Sequence, residues 1–235
     1  IYDLTKDPTD LQSGFVVSNL GGSAGGKAEL GRSTGIALWY FPPLAKRYAL
    51  MAAGPRGVGV VDVTDPADPV LIKVFEPIKI EDGKVGHADG RAVDVAVVGR
   101  NAFFSYDSFG IVCYRMSDLI APLPVGVDPT KIWKVEGGEV LYDHRPEAVV
   151  RFRIQDVPGF EDVSGGALNM SVVQQGGVVF HVAYGVAGTA TILWDNPATP
   201  VLLQLVPTPG EAASAVQQGG RLFVADGAGG LVFFD

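Results

Sequence analysis

The chain has 235 residues, a formal net charge of −8 and 47% hydrophobic residues. The acidic balance argues against a nucleic-acid-binding surface, which needs a basic footprint, and the hydrophobic content argues against intrinsic disorder. No run of about 18 apolar residues is present, so the sequence predicts no transmembrane helix.

An apolar run that ends in an Asp, Asn or Pro turn recurs from one end of the chain to the other. It reads Ile-Tyr-Asp-Leu-Thr-Lys-Asp-Pro at 1–8 and Gly-Val-Gly-Val-Val-Asp-Val-Thr-Asp-Pro at 57–66. Echoes follow at 110–118, 191–197 and 230–235. A strand unit that returns at intervals of tens of residues indicates a repeat architecture.

The segments around this phrase predict the other strands of each repeat. A Gly-rich stretch at 21–33 predicts a surface loop, and pairs of strands joined by tight turns are predicted in four segments, at 35–53, 90–106, 165–183 and 210–225. Gln-Gly-Gly and Gly-Arg-Asn supply turn positions that tolerate a positive φ. Pro-rich turns then lead into a fourth strand, at 70–75 and again at 201–206.

Four antiparallel strands in a unit of about 40–50 residues are typical of a propeller blade. The sequence therefore predicts an all-β chain, a β-propeller with about four visible four-stranded blades in one domain over 1–235. One interval between copies is longer than the rest, which predicts an inserted segment at about 122–164. Both ends fall in the recurring phrase, so two alternatives stay open. Either four blades close a ring, or these blades are part of a larger propeller that extends outside this chain.

Three segments resemble the LVIVD-repeat family of bacterial and archaeal β-propeller-like proteins. They are Gly-Val-Val-Asp-Val-Thr-Asp-Pro-Ala-Asp-Pro-Val-Leu at 59–71, Asp-Val-Ala-Val-Val-Gly-Arg-Asn-Ala-Phe-Phe at 94–104, and Phe-Val-Ala-Asp-Gly-Ala-Gly-Gly-Leu-Val-Phe-Phe-Asp at 223–235. The resemblance implies an extracytoplasmic location, whether periplasmic, cell-surface or secreted. It also implies a non-catalytic scaffold that mediates protein–protein interaction, as a subunit of a larger assembly.

A second functional hypothesis places a ligand at one mouth of the propeller channel, in a ligand-binding protein or an enzyme of unknown chemistry. The residues that enter the first strand of each blade would converge there. This predicts a ligand-binding set of Arg32, His87, Asp89, Arg91, Asp162 and Glu211. A solvated rim of hydrated charges is the alternative interpretation. No metal-binding or nucleophile motif accompanies these residues, so no metal site, catalytic residue or cofactor is predicted.

The predicted insertion carries aromatic and arginine side chains, which are enriched at protein–protein hot spots. This predicts a protein interface made by Trp133, Tyr142, Arg145, Arg151, Phe152 and Phe160. The alternative is that these side chains fold back onto the chain's own blades. The one cysteine, Cys113, lies inside an apolar run and is interpreted as a buried small hydrophobic residue.

Overall fold

A computed structural model of the protein describes residues 34–81, 83–174 and 176–235. These residues form four antiparallel sheets in succession along the chain, two short hairpins and one five-residue α-helix. The prediction of an all-β chain is confirmed for them. The copy of the phrase at 1–8 and the predicted loop at 21–33 lie outside the described residues.

The first sheet pairs its strands in chain order. They are β1 (Gly35–Phe41), β2 (Lys46–Ala52), β3 (Val58–Asp62) and β4 (Val70–Phe75). β4 has the bounds expected from the sequence, because the turn Asp-Pro-Ala-Asp-Pro at 65–69 cannot continue a strand ladder. A hairpin that the sequence did not predict follows, formed by β5 (Ile78–Glu81) and β6 (Lys84–His87).

The second sheet takes its fourth strand from the predicted insertion. Its strands are β7 (Asp94–Val98), β8 (Asn101–Ser105), β9 (Ile111–Arg115) and β12 (Ala148–Phe152). Between β9 and β12 lie α1 (Met116–Ile120) and the hairpin of β10 (Trp133–Glu136) and β11 (Glu139–Asp143). Residues 148–152 of the predicted insertion are therefore part of the repeated sheet, and the added hairpin lies before them.

The third sheet has four strands in chain order, and the fourth sheet has three. The third contains β13 (Met170–Gln174), β14 (Val178–Ala183), β15 (Thr189–Leu193) and β16 (Val201–Val206). The fourth contains β17 (Ser214–Gln218), β18 (Arg221–Ala225) and β19 (Leu231–Phe234). Among the described residues, the last sheet has no strand beyond β19.

One short link joins each sheet to the next. The second residue after the second strand has a positive φ and pairs with an alanine that precedes the first strand of the following sheet. Two backbone hydrogen bonds of 2.9 to 3.1 Å form each link. The pairs are Gly54 with Ala92, Asp107 with Ala167, and Gly185 with Ala212. The links place the first strands side by side, in the order β1, β7, β13 and β17.

Apolar cores fill the spaces between successive sheets. Phe75, Phe104 and Tyr114 are buried between the first and second sheets, together with Met116 and Leu119 of α1. Large aromatic residues also fill the space between the second and third sheets, whereas the space between the third and fourth contains mainly small residues. None of the helices in the described parts of the chain has the length and apolar character needed to cross a membrane.

Candidate interaction surfaces and predicted site residues

The residues predicted at a channel mouth lie at several places in the structure. Arg91 and Glu211 occupy the same position in two of the inter-sheet links, each directly before the bridging alanine. Asp162 is exposed in the segment that leads to the third sheet, and Arg32 lies outside the described residues. No hydrogen bond or ion pair joins any two of the five described members. The ligand-binding set stays a prediction.

The other two members of that set belong to the β5–β6 hairpin and its flank. His87 ends β6, and its Nδ1 lies 2.7 Å from Oε2 of Glu76. The His87 ring lies 4.5 Å from the ring of Trp133 on β10. Asp89 accepts a hydrogen bond from Nζ of Lys79 on β5. The contacts of His87 and Asp89 therefore join the two added hairpins to each other and to the first sheet.

Arg145 is the centre of this arrangement. Its side chain is only 5% exposed, and its guanidinium lies over the Trp133 ring, 4.0 Å from the ring centre. Nε and Nη2 donate to the two carboxylate oxygens of Asp143, at 2.8 and 2.6 Å. Nη1 donates to the backbone oxygen of Glu76 at 3.1 Å. Trp133 is thus held between His87 and Arg145, and the arginine clamps the insertion to the end of the first sheet.

The two hairpins together form a projection that we call the lip, residues 78–87 and 133–143. The backbone N–H of Val85 donates to the oxygen of Gly138, which joins the hairpins edge to edge. Burial opposes the negative charge of Asp143, but hydrogen bonds from Arg145 outweigh it and hold the pKa of that carboxyl below its ordinary value. The exposed apolar residues of the lip are Ile80, Val140, Leu141 and Tyr142.

The remaining residues of the predicted interface pack mainly within the chain. Phe152 is buried between the second and third sheets, and Phe160 is partly buried against the same core. The Arg151 guanidinium lies over the ring of Phe109, 4.7 Å from its centre, and Nη2 donates to Asp156 at 3.0 Å. Of the six predicted interface residues, only Tyr142 is an exposed aromatic side chain. The interface itself stays a prediction.

A chain of polar side chains crosses three sheets at the entry to their first strands. Nδ2 of Asn169 donates to Oδ2 of Asp94 at 2.8 Å, and the backbone N–H of Met170 donates to the same oxygen at 2.9 Å. Oγ of Ser214 donates to Oδ1 of Asn169 at 2.8 Å. Burial raises the pKa of the Asp94 carboxyl. The three side chains are hydrogen-bond partners of one another and join three successive sheets. We call Asp94, Asn169 and Ser214 the clasp. In the sequence, each of these three residues stands four positions after a glycine, namely Gly90, Gly165 and Gly210.

Ligating and nucleophilic side chains stand apart from one another. In the part of the chain that the structure describes, no group of three or more His, Cys, Asp or Glu is placed to hold a metal ion. His181 is buried between Thr191 and Gln217, and burial lowers the pKa of its imidazole. Cys113 is fully buried, as predicted, and burial raises the pKa of its thiol to about 12. A thiol in such a position is inert at neutral pH.

The outward side of the first sheet is an open apolar surface, which we call the first outer face. β1 alternates, so Ile36, Leu38 and Tyr40 point away from the second sheet, and Ile36 and Leu38 are 62% and 74% exposed. Behind them, Ala49 and Val63 help to line a shallow groove of about 700 Å³.

The outward side of the last sheet has the same character, and we call it the last outer face. Leu231 and Phe233 of β19 are 70% and 60% exposed, and Val216 of β17 is also exposed. Val232 and Phe234, which alternate with them, pack towards the third sheet. Each end of the stack of sheets therefore presents an apolar face that nothing in the described residues covers.

Comparisons with known proteins leave the family open. No family model matches the chain, and no curated protein matches it. Among solved structures, the chain is similar to the computationally designed Ika4 protein, with a TM-score of 0.47 and 11% identity over 87% of this chain and 91% of that one. The computationally designed Ika8 protein gives a TM-score of 0.30 and 12% identity, over 87% and 71%. The LVIVD resemblance and the extracytoplasmic location stay predictions.

Proposed function

We propose that the protein is a non-catalytic β-propeller scaffold, each sheet being one blade, and that it joins a larger assembly through its outer faces. The propeller arrangement is supported by the repeated link between successive sheets, which sets their first strands side by side. The assembly role is supported above all by the first outer face.

This face differs from the scattered exposed leucines that any protein surface carries. On the other side of β1, Ala37 and Trp39 pack against the core shared with the second sheet. Ile36, Leu38 and Tyr40, which alternate with them along β1, are covered by nothing in the part of the chain that the structure describes. They lie beside the small buried cluster of Ala49, Val61 and Val74. Contiguous exposed apolar surface of this kind marks interaction sites in soluble proteins.

The partner that fits the first outer face is another apolar sheet. Sheets pack face to face about 10 Å apart, and every inner face of this stack is covered in that way. The chain offers such a sheet at its opposite end, in the last outer face. We therefore assign the partner as a second copy of the chain, whose last outer face covers the first outer face. A contact between two different faces is heterologous and produces rings or filaments.

Leu38→Asp tests the assignment, because a carboxylate at the centre of the face opposes burial of the contact. Light scattering coupled to size exclusion is run over a wide range of concentrations. We expect the wild type to associate as its concentration rises and Leu38→Asp to remain monomeric. Val125→Asp, which changes an exposed valine in a loop, is the matched control and should associate as the wild type does. A wild type that is monomeric throughout, or a Leu38→Asp variant that associates normally, contradicts the proposal.

A further inference from the structure

A groove lies between the first and second sheets, at the end where β1 turns into β2. Its volume is about 840 Å³, which is in the size range of pockets that hold small organic molecules. One wall is the turn after β1, and the other is formed by the turn before β8 and by the junction of β9 with α1. We call it the arginine groove and define it by six of its lining residues, Trp39, Phe41, Pro42, Arg100, Arg115 and Met116.

The apolar wall of the arginine groove is held in place by its own contacts. Trp39 and Phe41 alternate with Leu38 and Tyr40 along β1, and their rings stack with centres 5.3 Å apart. Nε1 of Trp39 donates to the backbone oxygen of Gly99 at 3.3 Å, which fixes the indole against the second sheet. Aromatic rings that are already fixed can bind a flat apolar group at a small cost in side-chain entropy.

Two arginine side chains give the groove its charge. Arg115 ends β9 and pairs with Asn101, and the backbone N–H of Met116 donates to the oxygen of Arg100 at 2.9 Å. The strand ladder therefore holds Arg100 and Arg115 beside each other at one end of the β8–β9 pair. Both residues are exposed, and within the described residues neither guanidinium forms a hydrogen bond or an ion pair.

The arginine groove lacks the carboxylates that surround other arginines of the protein. Among the described residues that line it, none is an Asp or a Glu, although the chain has 26 acidic residues and only 18 Lys and Arg. By comparison, Arg151 and Arg153 both pair with Asp156. Neighbouring guanidiniums without a counterion repel each other, and a bound anionic group relieves that repulsion and accepts charge-assisted hydrogen bonds.

We propose that the arginine groove binds a small amphipathic anion. Its flat apolar body lies against Trp39 and Phe41, and its carboxylate or phosphate head pairs with Arg100 and Arg115. A ligand needs both parts to use the whole groove, because the aromatic wall recognises only the body and the guanidiniums only the head. The groove lies on the opposite side of β1 from Leu38, so the inference does not depend on the assembly proposed above.

Fluorine NMR of the protein labelled with fluorotryptophan tests the proposal, because the three tryptophans of the chain occupy separate places. Trp39 lines the groove, Trp133 belongs to the lip, and Trp194 is buried between the second and third sheets. The probes are 2-naphthoate and 2-naphthyl phosphate, which share the body and differ in the head, and the uncharged 2-naphthamide.

We expect at least one of the two anions to shift the Trp39 signal saturably and to leave the Trp133 and Trp194 signals in place. The anion that binds more tightly identifies the head group. 2-Naphthamide has the same apolar body without the charge, so it should bind at least about tenfold more weakly.

Substitution of the arginines separates the head contact from the apolar contact. Arg100→Gln and Arg115→Gln each remove one positive charge, and Arg56→Gln, in the exposed turn between β2 and β3, is the matched control. We expect the dissociation constant of the anion to rise about tenfold in each groove variant and to stay unchanged in Arg56→Gln. The Trp133 and Trp194 signals report whether each variant is folded.

Three results would overturn the proposal. 2-Naphthamide that binds as tightly as the anions would reduce the groove to an apolar contact. Anions that leave the Trp39 signal in place would show that the groove is not their site. A double variant, Arg100→Gln with Arg115→Gln, that binds the anion as the wild type does would show that the guanidiniums do not recognise the head. None of these results affects the Leu38→Asp test of assembly.

Discussion

The junction between the second and third sheets and the outer side of the last sheet are built from the same repeat. The aromatic residues at the junction are buried by the neighbouring sheet, whereas those on the outer side of the last sheet are exposed. At the junction, Trp194 is 1% exposed, and its ring lies 4.9 to 5.9 Å from those of Phe103, Phe152 and Phe180. On the last sheet, Phe233 is 60% exposed. A repeat of this type is therefore stabilised more by packing against its neighbours than by pairing among its own strands.

We expect the greatest loss of stability from a substitution at the covered junction. Trp194→Ala removes the indole that packs against three other aromatic rings and should lower the free energy of unfolding by about 3–5 kcal/mol. Phe233→Ala removes a ring of which most is in solvent, so the loss should be about 1 kcal/mol or less. Urea unfolding at a concentration below self-association measures both. Similar losses in the two variants would mean that Phe233 is covered in solution.

A smaller effect is expected where the lip joins the stack. Arg145→Lys loses the paired hydrogen bonds to Asp143 and the planar contact with Trp133, and should cost about 1–3 kcal/mol. Arg221→Lys is the matched control on the last sheet, where Arg221 pairs with Asp235 in solvent, and its effect should stay within about 0.5 kcal/mol. Urea unfolding compares the two variants. If Arg145→Lys left the free energy of unfolding unchanged, the contacts of Arg145 with Asp143, Glu76 and Trp133 would contribute nothing to stability.

Strands whose signals are local could be predicted from the sequence. β4 and β16 begin directly after Pro-containing turns, so their bounds were evident without knowledge of the fold. β12 could not be assigned in this way, because α1 and the β10–β11 hairpin separate it from its partner β9. Pairing across such a separation depends on tertiary packing. The alternation of apolar and polar residues indicates that a segment is a strand but not which strand it pairs with.

Surface roles were harder to predict than strands. Trp133 and Arg145 were predicted as two members of a protein interface, which stays a prediction, and their sequence gives no sign that Glu76 and His87 lie beside them. The exposed Leu38 looked like any other strand residue, because exposure depends on which sheet covers which face. Asp94 and its partners in the clasp share a column in the aligned repeats, which is a signal that the sequence did contain.

The most direct test of assembly through the two outer faces mixes a variant of each face. Leu38→Asp blocks the first outer face and leaves the last outer face intact, whereas Phe233→Asp does the reverse. Each variant alone should be monomeric in light scattering coupled to size exclusion, and an equimolar mixture should form a dimer through the two intact faces and nothing larger. A mixture that stays monomeric, or variants that associate on their own as the wild type does, would contradict the account.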